Sequence, residues 1–257
     1  MRVRRIAIFI DVGFFLKRLP HIVEEKYRST PQQVAETARI LCKRHVQRLV
    51  GEKDRWLDHV YRLFYYDAYP YSGHAHHPLL NQQIDFSKTP EAHFRLQLFD
   101  ELRRKRKFAL RLGRVEKTGD WQINYRLTKI LLKTHRWHDV FSALAEGKDP
   151  RKKYPNLTDE DIRELYKLSN TWKEFDKHSL HYSLRQKGVD MRLGIDIASI
   201  TLKNQADTLI LVTGDSDFVP AAKLARREGA EVILDPLRQS IKEQLHEHID
   251  GLASVLP

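Results

Sequence analysis

Two aspartates separated by one serine, Asp215 and Asp217, follow the apolar run Leu209–Val212 in the stretch LVTGDSDFVP. Asp11 ends a second such run, IAIFID. In an open parallel sheet, ligands bind outside the carboxyl ends of the strands. If these two runs are neighbouring strands, three carboxylates meet at one sheet edge. Like charges held that close are unfavourable unless a cation neutralises them. Carboxylate oxygens suit Mg2+ or Mn2+, which take one or two carboxylates together with waters and a substrate phosphate. Each acid also has a plainer use: Asp217 could cap the helix that follows it, and Asp11 the segment after the first strand. Gly214 fits a tight turn or the close approach of a phosphate.

A second stretch, KGVDMRLGID, adds Asp190 and Asp196. On a helix starting near Asp190, six residues amount to a rotation of about 240°, so the two acids point to different sides. The sequence favours Asp196 as the metal-facing one. It stands among Ile195, Ile197 and Ala198, where a charge needs a partner. Asp190 is then an N-cap and an accessory. Thr213 and Ser216 could hydrogen-bond a water or phosphate, or only the backbone of their own turn. Lys187 could contact a scissile phosphate, or be an ordinary surface lysine.

These residues need a scaffold, and the hydrophobic pattern supplies one. Continuous apolar runs at 5–10 and 208–212 read as strands buried on both faces. Residues 59–66 and 108–115 also read as strands, and 231–234 as another. Helical periodicity covers 31–50, 91–107, a segment from about 190, 218–228 and 238–253. Strands alternating with helices imply a mainly parallel sheet with right-handed crossovers. Between 119 and 185 the rhythm changes. Three of the four tryptophans fall there, with helical patterns near 124–145 and 158–175. The chain therefore divides into an α/β domain, 1–118 and 186–257, and a helical insertion, 119–185. The insertion is expected to be a lid or wall that restricts the substrate, with a dimerisation or scaffold role as the alternative.

The net charge of +11 favours polyanionic partners. The basic run RRKRK at 103–107, with Lys117 and the cluster at 151–153, is either a phosphate track or a set of solvated helix faces. The tyrosines of YYDAYPYSGHAHHP, 65–78, could stack on unpaired bases, and His74, His76 and His77 read as a solvated loop rather than a zinc site. The single cysteine, Cys42, excludes an intramolecular disulfide and a cysteine metal cluster. No stretch reaches the ~20 apolar residues of a membrane span. MRVRRIAIFIDVG reads as a first strand rather than a signal peptide, so the expected compartment is the cytoplasm. There is no glycine-rich nucleotide loop, no GxSxG and no histidine–cysteine dyad.

Taken together, IAIFIDVGFFLKR, FYYDAYP, QKGVDMRLGIDI and ADTLILVTGDSDFVPAAKLARREGAEVIL resemble the NYN domain, a branch of the PIN-like nuclease superfamily that includes the LabA-like proteins. The resemblance spans roughly 1–118 and 186–250, and its last two motifs are the specific ones. It implies a PIN-like three-layer α/β/α sandwich and a divalent-metal ribonuclease using Mg2+ or Mn2+. By motif it implies Asp11, Asp196, Asp215 and Asp217 as catalytic and metal-binding acids, with Asp190 as an accessory. Many members carry asparagine three residues after the first aspartate; Phe14 stands there. The implied partner is RNA, single-stranded more than duplex, with single-stranded DNA as an alternative substrate and a homo-oligomer as one assembly. The competing reading is a non-catalytic module that binds RNA or protein on the same fold.

Overall fold

The computed structural model describes residues 4–138, 140–141, 147, 150–241 and 243–256. Parts of the patterns at 124–145 and of GKDPRKKYPN lie outside these residues. The described chain falls into two compact units. One comprises Met1–Gly73, Asp85–Glu116 and Gln186–Pro257; the other comprises His74–Ile84 and Lys117–Arg185.

The first unit is built on β1 (Ile6–Asp11), whose residues Ile6 to Ile10 are essentially inaccessible. Strand β1 lies in parallel between β2 (Val60–Ala68) and β7 (Thr208–Val212). The ladder continues through β5 (Phe108–Ile123) on the β2 side and β8 (Glu231–Asp235) on the β7 side, again in parallel. With β6 (Leu180–Lys187) and β9 (Gly251–Leu252), the seven strands run in the order β6-β5-β2-β1-β7-β8-β9.

Side chains of β1 alternate between two cores, as the two-residue period of a strand requires. Ile6, Ile8 and Ile10 pack with Phe15 and Leu19 of α1 (Val12–Ile22), Leu41 of α2 (Pro31–Val50) and Leu98 of α3 (Pro90–Arg103). Ala7 and Phe9 face the other way. They join a cluster with Leu193 and Ile197 of the helix Val189–Leu202, and with Ala222 and Ala225 of the helix Val219–Arg227. Helices on both faces of a mainly parallel sheet make the three-layer α/β/α sandwich.

In the second unit, β3 (His74–His77) pairs with β4 (Gln82–Asp85). Its helices include α4 (Tyr125–Leu131) and α5 (Asp159–Lys173), and Trp137, Val140, Leu165 and Leu168 form a small core. Helix α5 begins at a Thr158–Asp161 capping box. The helices Val189–Leu202 and Val219–Arg227 of the first unit complete the series as α6 and α7.

Several expectations change. The last helix expected over 238–253 is replaced by one short turn, Glu243–His246, and by strand β9. The exposed edge of β8 takes this segment as a partner. Asp250 N–H donates to Val232 O, and the Asp250 carboxylate accepts from Val232 N–H. The histidine segment is a strand rather than a solvated loop. His77 is buried against Trp121, and its Nδ1 accepts from the backbone N–H groups of Leu79 and Leu80. Most of the basic run is paired within the first unit. Arg103 pairs with Asp100, Arg104 with Glu101 and Lys105 with Glu36, while Lys107 donates to Val60 O. The run also precedes β5, which places it at the amino edge of the sheet, opposite the carboxyl ends.

Candidate metal centre

Strands β1 and β7 are direct neighbours in the sheet, so their carboxyl ends deliver Asp11 and the 213–217 turn to the same edge. The chain order makes this the switch point. The helices after β1 cover one face, and those around β7 cover the other. A crevice at such a reversal is where doubly wound sheets bind ligands.

Hydrogen bonds fix the acids. Asp11 caps α1 by accepting from Phe14 N–H at 3.2 Å. Its second oxygen accepts from the buried Thr213 hydroxyl at 3.1 Å. Thr213 Oγ1 in turn accepts from Asp215 N–H at 3.2 Å. Asp215 then accepts from Asp217 N–H at 3.0 Å, which closes a short turn before α7. Thr213 is therefore the physical link between the two strand ends. Asp215 and Asp217 are exposed to solvent, as a ligand site at an edge requires. The Asp11 carboxyl is pushed above the usual aspartate range, first by burial and further by the negative charges of Asp190 and Asp215. Its bonds from Phe14 and Thr213 act in the opposite direction.

The sequence favours Asp196 over Asp190 as the metal-facing acid; the structure gives the two acids different surroundings. Asp196 accepts from Tyr66 Oη at 2.9 Å and from Arg111 Nε at 2.8 Å. Its charge already has a partner. Asp190, in the first turn of α6, is the acid whose field reaches Asp11. It also shares an open depression of about 490 Å³ with Asp217 and Met191. The 240° argument placed the two acids on different sides, but the choice depended on Arg111, far away in the sequence.

Phe14, where many members have asparagine, packs on the acidic turn. A Cβ added at Gly214 would come within 2.7 Å of the Phe14 ring. Gly214→Ala is therefore expected to displace that ring and lower stability by about 1–2 kcal/mol. Thermal unfolding checks this, and an unchanged Tm would show that the ring yields freely.

Of the tyrosines considered for base stacking, Tyr65 and Tyr66 are fully buried in β2 and cannot stack. Tyr66 has another use, since it holds Asp196. Tyr69 remains 47% exposed, with one ring edge against Phe99. Sequence reasoning missed Asp67. This residue is completely buried at the end of β2, with Arg95 Nη1 at 2.6 Å and its own strand's Ala68 N–H at 2.8 Å. The only local signal was an acid inside an aromatic strand.

The family model for the NYN domain matches residues 114–250, just over half of the chain. This chain belongs to the NYN family. NYN domains are part of the PIN-like superfamily, a nuclease-type fold, and the sandwich described above agrees with that membership. The match takes in Asp190, Asp196, Asp215 and Asp217 and begins after β1, so the placement of Asp11 rests on the sheet pairing. No curated protein and no solved structure matches the chain. Among the described residues, no three histidine, cysteine or acidic side chains are gathered into a ready-made cage for a metal. The donor set nevertheless suits Mg2+ or Mn2+, since these ions need only one or two direct carboxylates and complete their shells with water. A cation would also relieve the mutual repulsion that raises the Asp11 carboxyl. No helix among the described residues is long and apolar enough to cross a membrane.

Proposed function

We propose that this NYN protein is a divalent-metal-dependent ribonuclease acting on single-stranded RNA. The observation that carries the reading is the meeting of Asp11 and Asp215 at the carboxyl ends of adjacent parallel strands, joined through Thr213 and within the field of Asp190. Asp11, Asp190, Asp215 and Asp217 would hold Mg2+ or Mn2+. When bound, the ion supplies activation of a water and neutralisation of charge on the phosphate. Thr213 keeps Asp11 oriented and, through the Asp215 N–H, fixes the turn. Phe14 covers the back of that turn. Asp196 is a positioning residue that aligns Arg111 and Tyr66 behind α6. Ser216, in the turn between Asp215 and Asp217, would hydrogen-bond a water or an oxygen of the phosphate. The basic surplus of +11 fits a polyanionic substrate such as RNA.

The test is cleavage of a labelled single-stranded RNA, and of a DNA of the same sequence, by wild type and Asp215→Asn with Mg2+ or Mn2+. Metal-dependent cutting of RNA that is lost in the variant is the expected result. Cutting of DNA alone would change the substrate class. Binding without cutting under either metal would favour the reading as a non-catalytic binding module.

A further inference from the structure

Beside the acids lies a cleft of opposite charge. It has a volume of about 340 Å³ and is lined by Leu112, Gly113, Arg114, Lys187, Gly188 and Arg192. Three of these six residues are cations. All six belong to the first unit. Lys187 and Arg192 are exposed. Arg114 is paired with the half-buried Glu116 at the surface, a pairing that a stronger anion can replace.

The backbone shapes this cleft for close approach. A Cβ at Gly113 would lie 2.4 Å from Lys187 O, so strand β5 and the turn before α6 are in direct contact. Gly188 adopts the left-handed conformation, with φ of +75°, and the site of its missing Cβ is 3.9 Å from Arg192 Nε. The turn therefore presents backbone, not side chains, beneath the guanidinium. The helix that carries Arg192 also carries Asp190 in its first turn, directly after Gly188 and Val189.

We propose that this cleft holds a phosphate of the RNA strand next to the one at the acidic centre. The proposal rests on the nuclease reading for the identity of the strand and adds a second, metal-independent subsite to it. The acids alone repel a polyanion. The three cations offset that repulsion locally and set the direction in which the strand crosses the edge of the sheet, toward β5.

The test is binding of a fluorescent single-stranded oligouridylate in EDTA, in an Asp215→Asn background so that no strand is cut. Lys187→Gln with Arg192→Gln is compared with Lys203→Gln and Lys223→Gln, which remove the same charge at exposed positions of α6–β7 and α7. The cleft pair is expected to raise Kd by about tenfold or more and to lower the slope of log K against log salt by about 0.7–1.4, one to two phosphate contacts on a single strand. The matched pair should stay within about threefold. Equal losses for the two pairs would overturn the proposal. Strands with a 5′-phosphate and a 5′-hydroxyl are run in parallel. The same loss on both assigns an internal phosphodiester, and a loss confined to the phosphorylated strand assigns a terminal phosphate. A wild type that never cuts, with the cleft pair still impaired, removes the nuclease reading and keeps the cleft. A wild type that cuts, with the cleft pair binding normally, removes the cleft alone. Circular dichroism of the variants confirms that each is folded.

Discussion

Asp11→Asn should lose cleavage by a hundredfold or more and yet fold at least as well as the wild type. The two effects separate because the residue has two roles. As a cap, asparagine is about as good as aspartate, and its Oδ1 still accepts from Phe14 N–H. As a buried charge, the carboxylate is unfavourable, since burial and the neighbouring Asp190 and Asp215 push it above the usual range. Removing the charge removes that cost, although the asparagine NH2 can no longer accept from the Thr213 hydroxyl; on the proposed function it also removes an oxygen for the ion and for the transition-state charge. In EDTA at neutral pH, Tm should hold or rise by about 2–4 °C, the shift that ~1 kcal/mol produces in a chain of this size. A variant that cuts at the wild-type rate would remove Asp11 from the centre. One that unfolds would show that the carboxylate is structural.

Arg95→Met is expected to be the most destabilising single change outside the acids. Asp67 has no solvent exposure, and Arg95 Nη1 is 2.6 Å from it. Taking the cation away strands a buried carboxylate, at about 3 kcal/mol or more, which is roughly 6–10 °C in Tm. The pH dependence gives the mechanism. The Asp67 carboxyl is already raised, by burial first and against the lowering influence of Arg95. Without Arg95 it rises further. A carboxyl raised in the folded state binds its proton more tightly there than in the unfolded chain. Stability is therefore greatest below the unfolded value and falls as pH climbs through the folded one. The deficit of the variant should shrink at about pH 5 and widen toward about pH 8. Thermal melts across that range decide it, and a deficit independent of pH would mean that only packing was lost. Asp67→Leu combined with Arg95→Met should recover much of the stability, because the pair is then replaced rather than broken.

The legible parts of this molecule are those whose causes are local. Helix α2 matches its expected bounds because Pro31 opens it, Thr30 and Gln33 form the capping box and Gly51 ends it. Strands β1 and β7 are buried on both faces, so their apolar runs need no partner to be recognised. Helix α1 has no clear signal in the sequence, since Pro20 interrupts its pattern. Strand β6 falls within the region read as helical, because only its neighbour β5 makes LHYSLRQK a strand. The site divides in the same way. The strand-end acids could be named from the sequence. The choice between Asp190 and Asp196 depended on Arg111, and the buried role of Asp67 depended on Arg95; both partners come from other elements of the fold.

The order of the chain around β1 has a consequence for synthesis. Strand β1 ends at Asp11, yet one of its two neighbours, β7, begins only at Thr208. Asp11 therefore waits for the whole intervening stretch before Thr213 and Asp215 arrive beside it. Closing so long a loop is slow, and it cannot start until the late segment has left the ribosome. On the proposed function, a growing chain surrounded by messenger and ribosomal RNA carries only half of a cutting centre. The topology itself acts as a safety catch, released only once β7 has been made.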